Sequence, residues 1–195
     1  VDAIGNVIIR KPASPGYENH PGVILQGHMD MVPQKNNDTV FDFAKDSIEA
    51  YIDGEWVTAK GTTLGADNGI GVAAAMAILA DKSVVHPPLE VLVTVDEETG
   101  MYGAFALEGG LLQGKILLNL DSEAEGELYV GCAGGVDTTA KFAYTPVEVE
   151  EGDVAVKVSV TGCKGGHSGC DINLQRANAN KLLFRFLKEA VANYE

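Results

Sequence analysis

Histidine and carboxylate side chains recur at the ends of apolar runs in this sequence: His28 and Asp30, Asp67, Glu97 and Glu98, Asp121. Brought together without a counter-ion, such carboxylates repel. Two like charges about 4 Å apart cost on the order of 4 kcal/mol at an effective dielectric near 20. A cluster of this kind makes physical sense when cations sit inside it, and mixed oxygen and imidazole donors suit zinc, manganese or cobalt. The spacing within each group adds chemistry. A ligating histidine usually gives its other ring N–H to a carboxylate, which fixes the tautomer, and Asp30 stands two residues from His28. Asp67 lies in Gly65-Ala66-Asp67-Asn68-Gly69-Ile70-Gly71, where glycines permit close backbone approach. A carboxylate there can bridge two cations. In Asp96-Glu97-Glu98, one glutamate can bind a metal while its neighbour takes a proton from the activated water. Asn119-Leu120-Asp121 again ends an apolar run with a carboxylate.

Each group has a plainer reading when taken alone. His28 and Asp30 can be an exposed polar pair, Asp67 or Asn68 a helix cap, and residues 96–98 a solvated charged turn. The glycines around Asp67 invite a phosphate loop, but no Gly-Lys-Ser/Thr follows and the dinucleotide-binding spacing is absent. Cys163, His167 and Cys170 have the form Cys-x3-His-x2-Cys, yet a tetrahedral zinc site needs four ligands and no fourth is suitably spaced. His167 reads better as a side chain presented by a glycine-rich loop of a second domain, with a solvated loop histidine as the alternative.

The elements that must position these groups follow from hydrophobic patterning. Residues 22–26, 89–95 and 115–120 are near-continuous apolar runs, as in strands buried on both faces. Residues 6–10 form a further strand. Asp53-Gly54 separates two short strands, 50–52 and 55–59, with the signature of a type I′ hairpin. Residues 69–81 are alanine-rich and predict a buried helix capped by Asp67 or Asn68. Residues 102–108 predict a short helix ended by Gly109 and Gly110. Strands alternating with helices predict an α/β domain with a mixed, mostly parallel sheet and flanking helices. In such sheets ligands gather beyond the carboxyl ends of the strands, where His28, Glu97, Glu98 and Asp121 stand. The pattern changes near Gly134. Residues 136–144 and 154–160 read as amphipathic strands, and 173–193 as a helix capped by Asn173 or Asp171, with Leu183, Phe186, Leu187, Ala190 and Val191 on one stripe. The expected division is 1–134 for the site-bearing domain and 135–195 for an incomplete α+β domain.

Composition bounds the function classes. Of 195 residues, 14 are Lys or Arg and 28 are Asp or Glu, a formal charge of −14. Such a balance disfavours general electrostatic attraction to nucleic acid or anionic membrane. The longest apolar stretch, residues 69–80, is too short to span a bilayer. Three cysteines give no regular disulfide framework, so a reducing, cytoplasmic setting is expected. The sequence opens at Val1 inside an apolar run and ends after a helix, which reads as a piece of a longer protein.

Five segments in order carry a family resemblance: Gly27-His28-Met29-Asp30-Met31-Val32, residues 65–71, Val95 through Met101, Asn119 through Glu123, and Gly165-Gly166-His167-Ser168-Gly169. Together the chain resembles the two-metal exopeptidases, which include carnosinases, bacterial tripeptidases and acylamino-acid deacylases. The resemblance implies a zinc-exopeptidase catalytic domain followed by the start of a lid and dimerisation domain. It implies two zinc ions, with manganese or cobalt possible. Asp67 would bridge them, His28 and Asp121 would bind one, and Glu98 the other. Asp30 would orient His28, and Glu97 would be the general base on the bridging water. His167 would reach the substrate carbonyl from the lid of a homodimer. The Asp67–Asn68 peptide bond would be cis. The implied substrate is a short peptide, such as an aminoacyl-histidine dipeptide. N-acyl amino acids are the rival substrate, and a non-catalytic scaffold or dimerisation module is the rival class. The family takes one further histidine ligand from a later segment that this sequence does not contain, so the chain alone is expected to have little peptidase activity.

Overall fold

The structure, a computed structural model, describes residues 1–132, 134–167 and 171–194. The chain divides into two compact units, Val1–Leu128 and Tyr129–Glu195. The division falls slightly ahead of Gly134.

The first unit is built on a four-stranded sheet. Its strands are β1 (Val7–Lys11), β2 (Val23–His28), β5 (Leu89–Thr94) and β6 (Ile116–Asn119), in the order β1-β5-β2-β6. β2 runs parallel to both β5 and β6, and β1 runs antiparallel to β5. The sheet is therefore mixed and mostly parallel, as the apolar runs predict. β5 is buried along its whole length because it has a strand on each side and is covered on its faces. Leu25, Val91 and Val93 point to one face, where they pack with Ala75 and with the partly buried Val72, Ile78 and Leu79. The last four belong to helix α1 (Ala66–Ala80).

Three expectations for this unit are corrected. α1 is half-exposed rather than buried: Gly71 and Ala75 face the sheet, whereas Ile70 and Met76 are exposed. An alanine-rich helix has small apolar side chains all round, so its sequence does not say which face is covered. Neither Asp67 nor Asn68 caps the helix. Their side chains are engaged elsewhere, Asp67 with His28 Nε2 and Asn68 with the His28 N–H and the Leu120 carbonyl, and Gly65 ahead of them is left-handed and makes no side-chain cap bond. The hairpin of β3 (Ala50–Asp53) and β4 (Trp56–Ala59) forms, with Asp53 paired to Trp56. Its two turn residues are thus Gly54 and Glu55, and only Gly54 has positive φ. That combination of φ signs belongs to type II′, with glycine first, rather than to type I′. Beyond β5 come two short helices, α2 (Glu97–Gly100) and α3 (Tyr102–Phe105).

In the second unit the described residues form a 3₁₀ turn, Ile172–Leu174, and helix α4 (Ala179–Asn193). α4 starts later than expected, because Asn178 supplies the cap by accepting the Lys181 N–H at 3.0 Å. The strands expected at 136–144 and 154–160 are not formed. Alternating apolar side chains hold a strand only when one face is covered, and a lone two-stranded ribbon is marginal. Here Val136, Phe142, Tyr144, Val154 and Val156 are all exposed. Of the α+β arrangement expected for this segment, only the helical part is present among the described residues.

Candidate metal centre

The parallel strands bring their carboxyl ends together. His28 is the last residue of β2, Glu97 and Glu98 follow β5, and Asp121 follows β6. The ladder continues past the strands: Met29 N–H donates to Thr94 O at 2.9 Å, and Leu120 N–H to Gln26 O at 2.8 Å. Asp67 enters from the irregular first turn of α1. Its peptide bond to Asn68 is cis.

Two overlapping sets of donors result. His28, Glu97 and Asp121 offer ligand atoms within 4.8 Å of one another, and so do His28, Asp67 and Glu98. His28 is 1% exposed and lies at the junction. Its Nδ1 is 2.9 Å from the backbone carbonyl of Asp30. A carbonyl only accepts, so Nδ1 carries the proton and donates it. Nε2 then faces carboxylate oxygens: Asp67 Oδ1 at 3.1 Å, Asp121 Oδ1 at 3.4 Å and Glu97 Oε2 at 4.0 Å. A neutral imidazole would turn its lone pair toward those oxygens. Either Nε2 is protonated or a cation stands between them. Asp121 Oδ1 is moreover buried with no hydrogen-bond partner. An orphaned buried carboxylate oxygen is costly unless a cation or donor reaches it. One nitrogen and several carboxylate oxygens at this spacing fit one or two divalent cations of the zinc type.

The protonation tendencies agree. Burial disfavours the His28 imidazolium, but the carboxylate of Asp121, the Asp30 carbonyl, Asp67 and Glu97 outweigh it and raise its pKa. Burial pushes Glu97 up, and the charges of Asp121, Asp30 and Asp67 add to this. Glu98 is raised by burial and by Asp67. Asp121 is raised by burial and by the adjacent Asp67 and Glu98 carboxylates. Each direction reports negative charge crowded into a partly desolvated place.

Asp30 is arranged differently from the sequence expectation. Its carboxylate lies 3.5 Å from His28 Nδ1, farther than its own carbonyl. The carboxylate instead accepts two backbone bonds, Glu97 N–H to Oδ1 and Glu98 N–H to Oδ2, both at 3.1 Å. It therefore holds the turn that presents both glutamates. That turn begins at Asp96 with φ 52°, in the left-handed region. Asn68 was read from sequence only as a possible cap. It is 5% exposed, accepts the His28 N–H at 3.3 Å and donates to Leu120 O at 2.7 Å. It ties the end of β2 to the end of β6, beside Asp121. Gly27 and Gly71 leave room for this amide, since a Cβ on either would collide with it. Asn6, fully buried, ties the strand β1 to the turn by accepting the Val95 N–H at 3.1 Å and donating to Gly103 O at 2.8 Å. The position of Asn68 inside a glycine-rich motif was the available signal. Nothing local marks Asn6.

His167 belongs to the second unit, where its N–H donates to Asp171 Oδ2 at 3.0 Å. Ser168, Gly169 and Cys170 lie outside the described residues, and with them part of the glycine-rich loop and of the Cys-x3-His-x2-Cys spacing.

Comparison with known proteins agrees with this architecture. The model of the family described as Peptidase family M20/M25/M40 matches residues 24–192. The chain belongs to this M20 peptidase family. Among its M20 relatives, the cytosol non-specific dipeptidase of Escherichia coli (strain K12) is 61% identical over 186 residues, covering 95% of this chain and 38% of that protein. The uncharacterized protein YqjE of Bacillus subtilis (strain 168) is 29% identical over 153 residues, covering 74% of this chain and 38% of that one. The crystal structure of the aminoacylhistidine dipeptidase from Vibrio alginolyticus matches with a TM-score of 0.68 and 56% identity, over 96% of this chain and 38% of that one. The chain thus spans 38% of the length of each of these three proteins.

Proposed function

We propose that this chain carries the metal-binding part of a cytoplasmic dipeptidase that hydrolyses short peptides, aminoacyl-histidine among them. His28, Asp67, Glu98 and Asp121 would hold two divalent cations, zinc first, with Asp67 shared between them. When bound, such cations polarise the scissile carbonyl and bring the pKa of the attacking water to about 7. Glu97 takes the proton of that water at its carboxylate and hands it to the leaving amine. Asp30 keeps Glu97 and Glu98 in place through their N–H groups. Residues 1–134 would be the catalytic domain. Residues 135–195 would begin a lid and dimer domain, from which His167 reaches the substrate.

The observation that carries this reading is His28 Nε2 facing Asp67 and Asp121 while Nδ1 is spent on the Asp30 carbonyl. The dipeptidase names of the E. coli and V. alginolyticus relatives favour peptides over N-acyl amino acids. Metal content by optical emission and dipeptide hydrolysis test it together, in a protein long enough to hold the complete site. Glu97→Gln is expected to keep its metal and lose turnover. Near-normal turnover in that variant would remove Glu97 from the role of base. A protein that takes up no divalent metal would remove the whole reading.

A further inference from the structure

Glu97 and Glu98 stand on a loop, residues 95–103, that returns on itself directly after β5. Its two ends meet where the Gly103 N–H donates to Val95 O at 3.1 Å. Between them α2 is a single turn without a side-chain cap bond. Asp96 and Met101 are left-handed, with φ 52° and 59°, although neither is glycine. A non-glycine residue keeps such a backbone only where its surroundings impose it. The Asp30 carboxylate is one hold, through the Glu97 and Glu98 N–H groups.

The other hold is the side-chain amide of Asn6, just ahead of β1 and fully buried. Its Oδ1 accepts the Val95 N–H at 3.1 Å and its Nδ2 donates to Gly103 O at 2.8 Å, so one amide spans both ends of the loop. The second Nδ2 proton goes to Asp2 Oδ2 at 2.7 Å. A flipped amide would set its oxygen against two acceptors and its NH₂ against the Val95 donor, so the orientation is fixed. Asp2 Oδ1 also accepts the Asn6 backbone N–H at 2.8 Å. Gly103 completes the fit, since a Cβ there would collide with Asn6 Oδ1 and Val95 O. These side-chain bonds of Asn6 end on loop backbone or on Asp2, none on a ligand side chain.

We propose that Asn6 is a positioning residue for the glutamate loop: by closing Val95 on Gly103 it sets Glu98 in the ligand set, with Glu97 beside it. The proposal rests on the reading of His28, Asp67, Glu98 and Asp121 as metal ligands. Asp30 grips the loop at the two glutamates and Asn6 grips it at the ends. With the ends released, the left-handed residues on either side of α2 lose what imposes their backbone, and the Glu98 carboxylate loses its fixed approach to His28 and Asp67.

The test measures the zinc affinity of this chain, by competition with a chromophoric chelator, for the natural sequence, Asn6→Ala, Glu98→Ala and the double variant. Loss of a support behind a ligand usually costs about 10–100-fold in affinity, and Asn6→Ala is expected to cost about tenfold or more. If the amide acts through Glu98, that loss disappears in the Glu98→Ala background, because residues that act through one another are not additive. An amide that merely supports the fold would lower the urea midpoint and leave the zinc affinity of the folded chain unchanged, or would cost the same factor in both backgrounds. Either result would overturn the positioning role and leave the metal-binding reading standing. Should Asn6→Ala fail to fold, Gly103→Ala displaces the same amide from the loop side with Asn6 intact. It is expected to show the same loss of affinity and the same dependence on Glu98, and an unchanged affinity there would overturn the positioning role equally. A natural chain that takes up no zinc would overturn both readings.

Discussion

His28 shows how one side chain can be over-determined. Its backbone N–H, Nδ1 and Nε2 meet three different segments: the Asn68 amide, the Asp30 carbonyl and the Asp67 and Asp121 carboxylates. The ring has no freedom to turn Nε2 elsewhere, which is what a ligand requires. The glutamates are positioned less directly, through the Asp30 carboxylate. Asp30→Asn keeps one accepting oxygen and sets an NH₂ group against the second backbone N–H. Zinc affinity is expected to fall about 10–100-fold, as is usual when a support of a ligand is lost. Competition with a chromophoric chelator measures it, and an unchanged titration would show that the Asp30 side chain does not position the site. At this scale the sequence marks the candidate site residues, because His28, Asp67, Glu97, Glu98 and Asp121 sit at the ends of apolar runs. It does not show how Asp30 divides its carbonyl and carboxylate between two tasks. Nor does it reveal Asn68 as a link between β2 and β6. Such bonds join residues as far apart as 52 and 67 positions, and local spacing carries no record of them.

At the level of elements, the site depends on β6 keeping its register beside β2, and a buried acid far from the metal ligands secures it. Glu90, the second residue of β5 with its side chain 6% exposed, accepts the N–H groups of Gln113 and Gly114, both at 2.7 Å, and the Arg10 guanidinium at 3.0 Å. Gln113 and Gly114 form the approach to β6. Burial works against the Glu90 carboxylate, yet the backbone N–H groups of Gly114 and Gln113 and then Arg10 prevail, so its pKa is lowered. A lowered folded pKa stabilises the fold above the unfolded value of about 4.3. That contribution is lost as the pH falls through the folded pKa. Urea melts from pH 7 down to pH 3 are therefore expected to show a steeper acid loss for the natural chain than for Glu90→Gln. Glu90→Leu is expected to cost about 1–3 kcal/mol at pH 7, because two part-buried N–H groups lose their acceptor. Parallel acid profiles would detach Glu90 from this role. In the sequence Glu90 looks like a polar interruption of a buried strand. The strands themselves were readable because 22–26, 89–95 and 115–120 are short apolar runs bounded by Pro, Gly or charge. The failures at 136–144 and 154–160 have the opposite cause: alternation describes a face that wants covering, and pattern alone does not supply the cover.

For the molecule as a whole, charge sets the balance. The chain carries −14 overall, and the first unit places Asp67, Glu97, Glu98 and Asp121 around one imidazole. Unscreened by a cation, that crowding opposes folding, and the partnerless Asp121 Oδ1 adds to the cost. A divalent ion binds these groups only when the three strand ends and the start of α1 converge, so it favours the folded state by linkage. At one hundred times the dissociation constant, the gain is about 2.7 kcal/mol for a single site. For a chain of this size each kcal/mol moves the midpoint by roughly 2–4 °C. Thermal melts with and without zinc are therefore expected to differ by about 5–10 °C, with magnesium far less effective because the set includes a nitrogen donor. Asp121→Asn separates the two contributions. It removes one of the crowded charges, so the zinc-free variant is expected to melt no lower than the natural chain, and it removes a ligand, so most of the zinc gain should vanish. A full zinc gain in that variant would place the ion elsewhere. A variant that melts much lower without zinc would mean that Asp121 supports the fold through contacts of its own rather than waiting, at the end of β6, for a cation.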